Sequence, residues 1–171
     1  MKMKHLFLRS FLLVLISGLI LSSCKKDSTK TEDIVGTWTT STSTLSVMVG
    51  DKTLTQYFID VMELPPADAQ AYTDLLEQLM AQSFTGTITI KSNGTYTATL
   101  GGEADSGTWS LNGDQTELTI TSGTDGPMTF DVVQLTSSEL HIHAIVVTSE
   151  DLNGDDIPET MNVEVDIDFS K

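Results

Sequence analysis

The feature that most constrains the fold is a series of short segments in which apolar and polar residues alternate. In the last of these segments, Met161, Val163, Val165, Ile167 and Phe169 alternate with asparagine, glutamate and aspartate. Successive side chains of a strand point to opposite faces, so such a segment can bury one face and expose the other. The pattern therefore predicts β-strands rather than helices.

Short turn sequences separate these segments. Ser92-Asn93-Gly94 and Asn112-Gly113-Asp114 are typical of tight hairpins, because asparagine and glycine tolerate positive φ. Short connections favour antiparallel neighbours, and a long meander tends to close because closure removes exposed edges. We therefore predict an all-β, antiparallel up-and-down barrel or curled sheet of about nine strands. The predicted strands are residues 35–41, 45–49, 84–90, 96–100, 109–111, 118–120, 128–135, 140–147 and 161–169.

One region, near residues 53–82, has helical periodicity instead. Thr53 and Gln56 have the spacing of a capping box, and Pro65-Pro66 ends one helix and begins another. The apolar stripes at i, i+3, i+4 spacing are Leu54, Tyr57, Phe58, Val61 and Met62, then Tyr72, Leu75, Leu76, Leu79 and Met80. We predict an inserted helical pair, either a plug for one end of the barrel or a lid over a cavity.

The N-terminus has the layout of an export signal. Three basic residues precede the apolar run Phe11–Leu21, which is shorter than the about 20 residues that a membrane span needs. Leu21-Ser22-Ser23-Cys24 resembles the lipobox of bacterial lipoproteins. The resemblance implies a signal peptide at 1–23, an acylated Cys24 that binds the membrane, a flexible tether at 24–33 and one domain at 34–171.

Alternatives to lipidation are a cleaved secretory signal and an uncleaved membrane anchor. Cys24 is the only cysteine, so an internal disulfide is excluded, and acylation would give this residue a role. Lys25, where an aspartate would retain a lipoprotein in the inner membrane, favours the outer membrane by resemblance to the sorting rules of Gram-negative lipoproteins. We therefore expect an envelope protein anchored to a membrane by its lipid.

The charge excludes one class of partner. The chain has 24 acidic and 9 basic residues. Cleavage before Cys24 would remove Lys2, Lys4 and Arg9 and leave 6 basic residues and a formal net charge of −18. Such a chain repels phosphate backbones, so we expect no nucleic-acid binding, and it also repels anionic lipid surfaces.

Gly36-Thr37-Trp38 and Gly107-Thr108-Trp109 repeat one motif. A Gly-x-Trp on the first strand before an antiparallel meander resembles the lipocalin-like superfamily, and the second motif resembles lipocalin-like lipoproteins of Gram-negative bacteria. The resemblance implies an up-and-down barrel with an internal apolar cavity, and a structural Trp38 at its closed end. The chain departs from typical lipocalins in its lack of a disulfide, its helical insertion and its lack of a C-terminal helix on the barrel.

The alternation assigns an almost entirely apolar, uncharged inner face. The predicted inward residues are Ile88, Ile90, Tyr96, Leu100, Trp109, Leu118, Ile120, Phe130, Val132, Ile142, Val163, Val165 and Ile167. Seven of them are our candidate ligand contacts: Ile88, Ile90, Tyr96, Trp109, Phe130, Ile142 and Val165. Such a lining would favour an apolar ligand, although a core filled by its own side chains has the same composition.

An acidic loop offers oxygen ligands at the spacing of a calcium loop. They are Asp151, Asn153, Asp155, the Ile157 carbonyl and Glu159. Two positions depart from that motif, because Asp156 replaces the usual glycine and Asn162 replaces the last acid. Calcium is the one cofactor that the sequence suggests, and the alternative is a solvated acidic hairpin.

His141 and His143 share one face of a predicted strand. Two histidines can bind zinc with a third ligand, but no third histidine follows Cys24 and the sequence places no carboxylate beside them. Ordinary surface or pore-facing histidines are therefore the expected interpretation.

The sequence contains no Gly-x-Ser-x-Gly elbow and no lysine-bearing phosphate loop, so we expect no enzyme. The leading hypothesis is a lipid-anchored envelope protein that binds a small apolar or amphipathic molecule. The alternatives are a structural or interaction module with a filled barrel, whose protein partner the sequence does not identify, and, last, a hydrolase that uses scattered acids.

Overall fold

The computed structural model describes residues 33–124 and 126–171. The strands are β1 Gly36–Val49, β2 Lys52–Thr53, β3 Gly86–Ile90, β4 Thr95–Leu100, β5 Glu103–Leu111, β6 Glu117–Ser122, β7 Gly126–Leu135, β8 Glu139–Glu150 and β9 Glu159–Ser170. The helices between β2 and β3 are α1 Leu54–Asp60 and α2 Pro66–Gln82.

Eight strands form a closed antiparallel barrel. The strand order is β1-β3-β4-β5-β6-β7-β8-β9, and β1 pairs with β9 to close the sheet. The short β2 pairs antiparallel with the last two residues of β1. Buried residues of β9 alternate with residues open to solvent, as its sequence predicts. The fold is lipocalin-like, and the predicted up-and-down barrel with an inserted helical pair is confirmed.

The front of the barrel differs from the prediction. The two strands expected at 35–41 and 45–49 are one strand, β1, whose register shifts between Thr40 and Thr42. The segment between the two predicted strands consists of serine and threonine and has no apolar alternation. The sequence pattern therefore did not show that the strand continues through it. The described residues still form nine strands, because the two-residue β2 forms a hairpin with β1 through Gly50 at a φ of 62°.

The helical pair covers an edge of β1. Only Gly36–Thr39 pairs with β3, and the rest of β1 pairs with β9 on its other side. Beside the unpaired stretch, the Val47 amide donates a hydrogen bond to Glu77 of α2 at 3.2 Å. The helix therefore satisfies one amide of a strand edge that would otherwise be open to another chain.

The first helix, α1, buries the first three residues of its predicted apolar stripe, whereas Val61 and Met62 lie beyond its end and are exposed. Thr53 caps it, because its hydroxyl accepts a hydrogen bond from the Gln56 amide at 3.2 Å. Leu54, Tyr57 and Phe58 are buried.

The stripe predicted to face inward on α2 is exposed instead, and that part of the prediction was wrong. Tyr72, Leu75 and Leu79 are 50–54% exposed, whereas the buried residues of α2 are Ala69 and Thr73. The face that packs is therefore one with small side chains, and Thr73 accepts a hydrogen bond from the Thr55 hydroxyl of α1 at 2.9 Å. The helix therefore adds no filling to the barrel interior.

The two Gly-Thr-Trp motifs are both structural, in different ways. Trp38 is completely buried, donates its indole N–H to the Ile34 carbonyl at 2.7 Å and lies under the Lys171 ammonium at 4.3 Å. In the second motif, a Cβ on Gly107 would lie 1.9 Å from the Thr121 carbonyl oxygen. Glycine is therefore required there for β5 and β6 to approach one another.

Candidate functional site

The barrel contains a cavity of about 220 Å³. Its wall is formed by alternate residues of β3 to β9, which point to the interior because successive side chains of a strand alternate between faces. The lining residues are Phe84, Ile88, Ile90, Tyr96, Ala98, Leu100, Asp105, Leu118, Ile120, Ser122, Gly126, Pro127, Met128, Phe130, Leu140, Ile142, Ile167 and Phe169. The wall is therefore mostly aliphatic and aromatic, with one carboxylate.

Most of the predicted ligand contacts meet in this wall. Of the seven candidates, the cavity is lined by Ile88, Ile90, Tyr96, Phe130 and Ile142. Trp109 and Val165 lie outside the lining, as do two further residues predicted to face inward, Val132 and Val163.

Position in the barrel explains why Trp109 and Val165 do not line the cavity. Trp109 is near the end of β5 and donates its indole N–H to the Lys91 carbonyl at 2.8 Å, in the turn between β3 and β4. Val165 is 2% exposed, pairs with Leu45 of β1 and precedes Ile167 and Phe169, the two residues of β9 that line the cavity. Facing inward is therefore not sufficient to line the cavity.

The cavity wall contains one charged group, which the sequence analysis did not assign to the interior. Asp105 accepts hydrogen bonds from the Tyr96 hydroxyl, from the Ser122 hydroxyl at 3.0 Å and from the Ser106 amide at 2.7 Å. The predicted strand began only at residue 109, whereas β5 begins at Glu103, so the predicted alternation of faces did not reach Asp105.

These hydrogen bonds favour the charged form of Asp105. The bond from Tyr96 contributes most to holding the pKa of the Asp105 carboxyl below its ordinary value, and Ser122 and the Ser106 amide add to it although burial opposes the shift. A carboxylate that stays ionised in an apolar wall gives the cavity a negative end. It can orient a ligand that has a donor or a positive charge.

The acidic loop adopts a compact turn between β8 and β9. Asp151 accepts backbone hydrogen bonds from Gly154 at 2.7 Å, Asp155 at 3.2 Å and Asp156 at 3.0 Å. Asp156 has a φ of 66° at the position that is glycine in calcium loops. These bonds hold the pKa of Asp151 below its ordinary value, although burial opposes them.

The other proposed calcium ligands point to different partners. Asn153 accepts a hydrogen bond from the Asp155 amide at 2.9 Å, and Asp155 accepts one from the Ile157 amide at 2.8 Å. Glu159 accepts hydrogen bonds from the Tyr57 hydroxyl and from the Leu152 amide, so each of its carboxylate oxygens already has a protein partner. Calcium binding by this loop stays a prediction.

Cys24, the signal peptide and nearly all of the tether lie outside the described residues. Within the described part of the chain, no helix has the length and apolarity needed to cross a membrane.

Comparison with known proteins adds a sequence match. The profile of the lipocalin-like domain matches residues 70–142, from within α2 to the first half of β8. A similar solved structure is that of a DUF4847 family protein from Bacteroides vulgatus ATCC 8482, which is 14% identical, covers 79% of this chain and 91% of that chain, and has a TM-score of 0.36. No curated protein matches the sequence. The described chain thus has a lipocalin-like fold, and the segment that supplies most of its cavity wall is similar in sequence to the lipocalin-like domain.

Proposed function

We propose that the protein is a non-enzymatic binding protein that holds a small apolar or amphipathic molecule in its barrel, and that a lipid on Cys24 holds it at a membrane of the cell envelope. The observation that carries the first part is the apolar cavity of about 220 Å³. A cavity of roughly 150 Å³ in a protein core is already large enough to bind benzene, whereas clefts for drug-sized ligands are about 300 Å³ or more. The expected ligand is therefore small, or it is a chain of which only one part enters the barrel.

The composition of the wall supports an amphipathic ligand. Apolar surface from Ile88, Ile90 and Phe130 would stabilise a hydrocarbon part, since removal of apolar area from water is favourable. Asp105 lies in the same wall and carries a negative charge for which no cation partner is found among the described residues. An alkyl chain with an amine or another strong hydrogen-bond donor is the class of molecule that suits both the apolar wall and the carboxylate of Asp105.

Asp105→Asn tests this class. A charge-assisted hydrogen bond contributes about 1.5–3 kcal/mol, and each 1.4 kcal/mol is a factor of about ten in affinity. We therefore expect Asp105→Asn to weaken an alkylamine by roughly tenfold or more, and to change an alkyl alcohol of the same length little. Displacement of an apolar fluorescent probe from the purified protein measures both affinities.

Asp114→Asn is the matched control, because Asp114 is exposed in the turn between β5 and β6. It removes one negative charge without touching the cavity, so it should leave both affinities unchanged. An affinity for the amine that is unchanged by Asp105→Asn would argue against an orienting carboxylate and for a purely apolar ligand.

A second candidate function is an interaction module, and the exposed stripe of α2 favours it. Tyr72, Leu75 and Leu79 present apolar surface to solvent, and Val61 and Met62 are also exposed. Large exposed apolar patches mark sites of interaction more often than single exposed residues do. Failure of apolar probes to bind, together with loss of a pull-down partner on Leu75→Ser, would favour this function over ligand binding.

Cys24→Ser tests the anchor. If Cys24 is acylated, most of the wild-type protein should be in the membrane fraction, because each buried acyl CH₂ contributes about 0.8 kcal/mol. The serine variant cannot be acylated there and should be released or remain unprocessed, as gel mobility and metabolic labelling with palmitate would show. Labelling of the variant equal to that of wild type would exclude Cys24 as the lipidated residue.

A further inference from the structure

A cluster of nitrogen and oxygen ligands lies on the outer face of β8 and β9, on the side of the wall opposite the cavity. In the register of the two strands, His141 is opposite Asp168 and His143 is opposite Asp166. Directly opposite and diagonal side chains of antiparallel strands are within contact distance when they share a face. The spacing of residues along the chain does not place an acid beside these histidines, whereas the pairing of β8 with β9 does.

Asp166 is the centre of this cluster. Its Oδ1 atom is 3.1 Å from Nε2 of His141 and 3.2 Å from Nδ1 of His143. Glu164, two residues earlier on β9, offers a further carboxylate, and ligand atoms of His143, Glu164 and Asp166 all lie within 4.8 Å of one another. One oxygen thus accepts from two imidazoles, with a second carboxylate alongside.

These separations suit one metal ion. Zinc binds histidine nitrogen at about 2.0–2.1 Å and carboxylate oxygen at about 2.0–2.2 Å, which places neighbouring ligand atoms of a tetrahedral site about 3.4 Å apart. Ligand atoms of His143, Glu164 and Asp166 already lie near one another, and His141 joins them through the Oδ1 atom of Asp166. An ion would then replace the protons that the histidines share with Asp166.

We propose that His141, His143, Glu164 and Asp166 form a binding site for a zinc-class divalent transition-metal ion on the outer wall of the barrel. Imidazole favours zinc, copper, nickel and iron, whereas calcium and magnesium favour sites made of oxygen alone. The donor set of two imidazoles and two carboxylates therefore selects against the two alkaline-earth ions.

The framework and the surroundings support this site. The pairing of β8 with β9 runs without a register shift from Glu139 to Glu150, so the backbone fixes the spacing of the ligands. The side chains of His141, His143 and Asp166 are 32%, 23% and 38% exposed, which leaves a path for an ion from solvent. Asp168, whose carboxylate is 3.8 Å from Nδ1 of His141, adds negative charge that attracts a cation.

Titration of the full-length protein, purified in detergent and without a histidine tag, with zinc chloride tests the site. We expect saturable binding of one equivalent of zinc, measured by calorimetry, and visible absorption bands of tetrahedral cobalt when cobalt chloride replaces zinc. His143→Gln and Asp166→Asn should each weaken zinc binding by about tenfold or more, since loss of a ligand costs at least as much as loss of an outer-shell partner. Calcium at the same concentration should not compete.

Glu103→Gln is the matched control, because Glu103 is exposed at the start of β5 and lies outside the cluster. It removes one negative charge, as Asp166→Asn does, and should leave zinc affinity unchanged. Melting curves test whether each variant is folded. If His143→Gln or Asp166→Asn is not folded, His141→Gln takes its place. The proposal is overturned if wild type shows no saturable binding, or if Glu103→Gln weakens zinc as much as the cluster variants do.

Discussion

Trp38→Ala is expected to lower the free energy of unfolding by about 3–5 kcal/mol, as truncation of large buried aromatic side chains does. Trp38 has no exposed surface, and its indole N–H donates to the Ile34 carbonyl. The substitution would leave a cavity and would also leave that carbonyl without this donor. In a domain of this size the melting temperature should fall by roughly 10 °C, which thermal unfolding followed by circular dichroism measures.

Trp109→Ala is the matched comparison, because Trp109 is in the second Gly-Thr-Trp motif but is only partly buried. Its indole N–H also donates to a backbone carbonyl, that of Lys91. We expect a clearly smaller loss of stability than for Trp38→Ala. Equal losses for the two variants would contradict the assignment of Trp38, and not Trp109, to the core of the barrel.

The strands that alternate strictly were predictable, and the polar ones were not. In β9 every second residue from Met161 to Phe169 is buried, so the sequence pattern and the structure agree residue by residue. In β1 a run of serine and threonine crosses the register shift at Thr40 and Thr42, so there is no apolar period for a sequence argument to detect. Pairing of β1 with both β3 and β9, and not its own composition, makes that segment one strand.

Helix α2 shows a second limit of the sequence argument. Its apolar period was identified correctly, but the face that packs was not, because Ala69 and Thr73 are buried while Leu75 and Leu79 are exposed. An amphipathic pattern identifies the more apolar face of a helix, whereas packing also depends on how closely a small-residue face can approach. The buried face of α2 could therefore be known only from the structure.

The candidate sites needed the three-dimensional pairing as well. Ile88, Ile90, Tyr96, Phe130 and Ile142 were assigned to the cavity by alternation alone, and they line it. Asp105 was missed because it precedes the predicted start of its strand. The alternation of β9 predicted that Asp166 faces outward. Its position beside the two histidines follows from the register between β8 and β9, which neither strand's sequence specifies alone.

Ala98→Phe is the substitution expected to affect ligand binding most. Ala98 is 8% exposed and lines the cavity from β4, so a phenylalanine ring would occupy much of its about 220 Å³. Because the ring would fill space that is already there, we expect the protein to stay folded while an apolar ligand is excluded. The reduction in affinity should exceed that of Asp105→Asn, since steric exclusion acts on every ligand class.

Ala104→Phe provides the control for added apolar surface. Ala104 is on the neighbouring strand β5, opposite Thr99, and its side chain is exposed on the outer face. The same ring is therefore added outside the barrel and should leave binding in the cavity unchanged. Melting curves of both variants separate lost binding from lost folding.

Binding of an apolar fluorescent probe to wild type, Ala98→Phe and Ala104→Phe is the most direct test of the central claim, that the interior of the barrel is a ligand site. We expect saturable probe binding by wild type and by Ala104→Phe, and none by folded Ala98→Phe. Equal probe binding by all three proteins would place the ligand site outside the barrel, and absence of binding by wild type would contradict the claim itself.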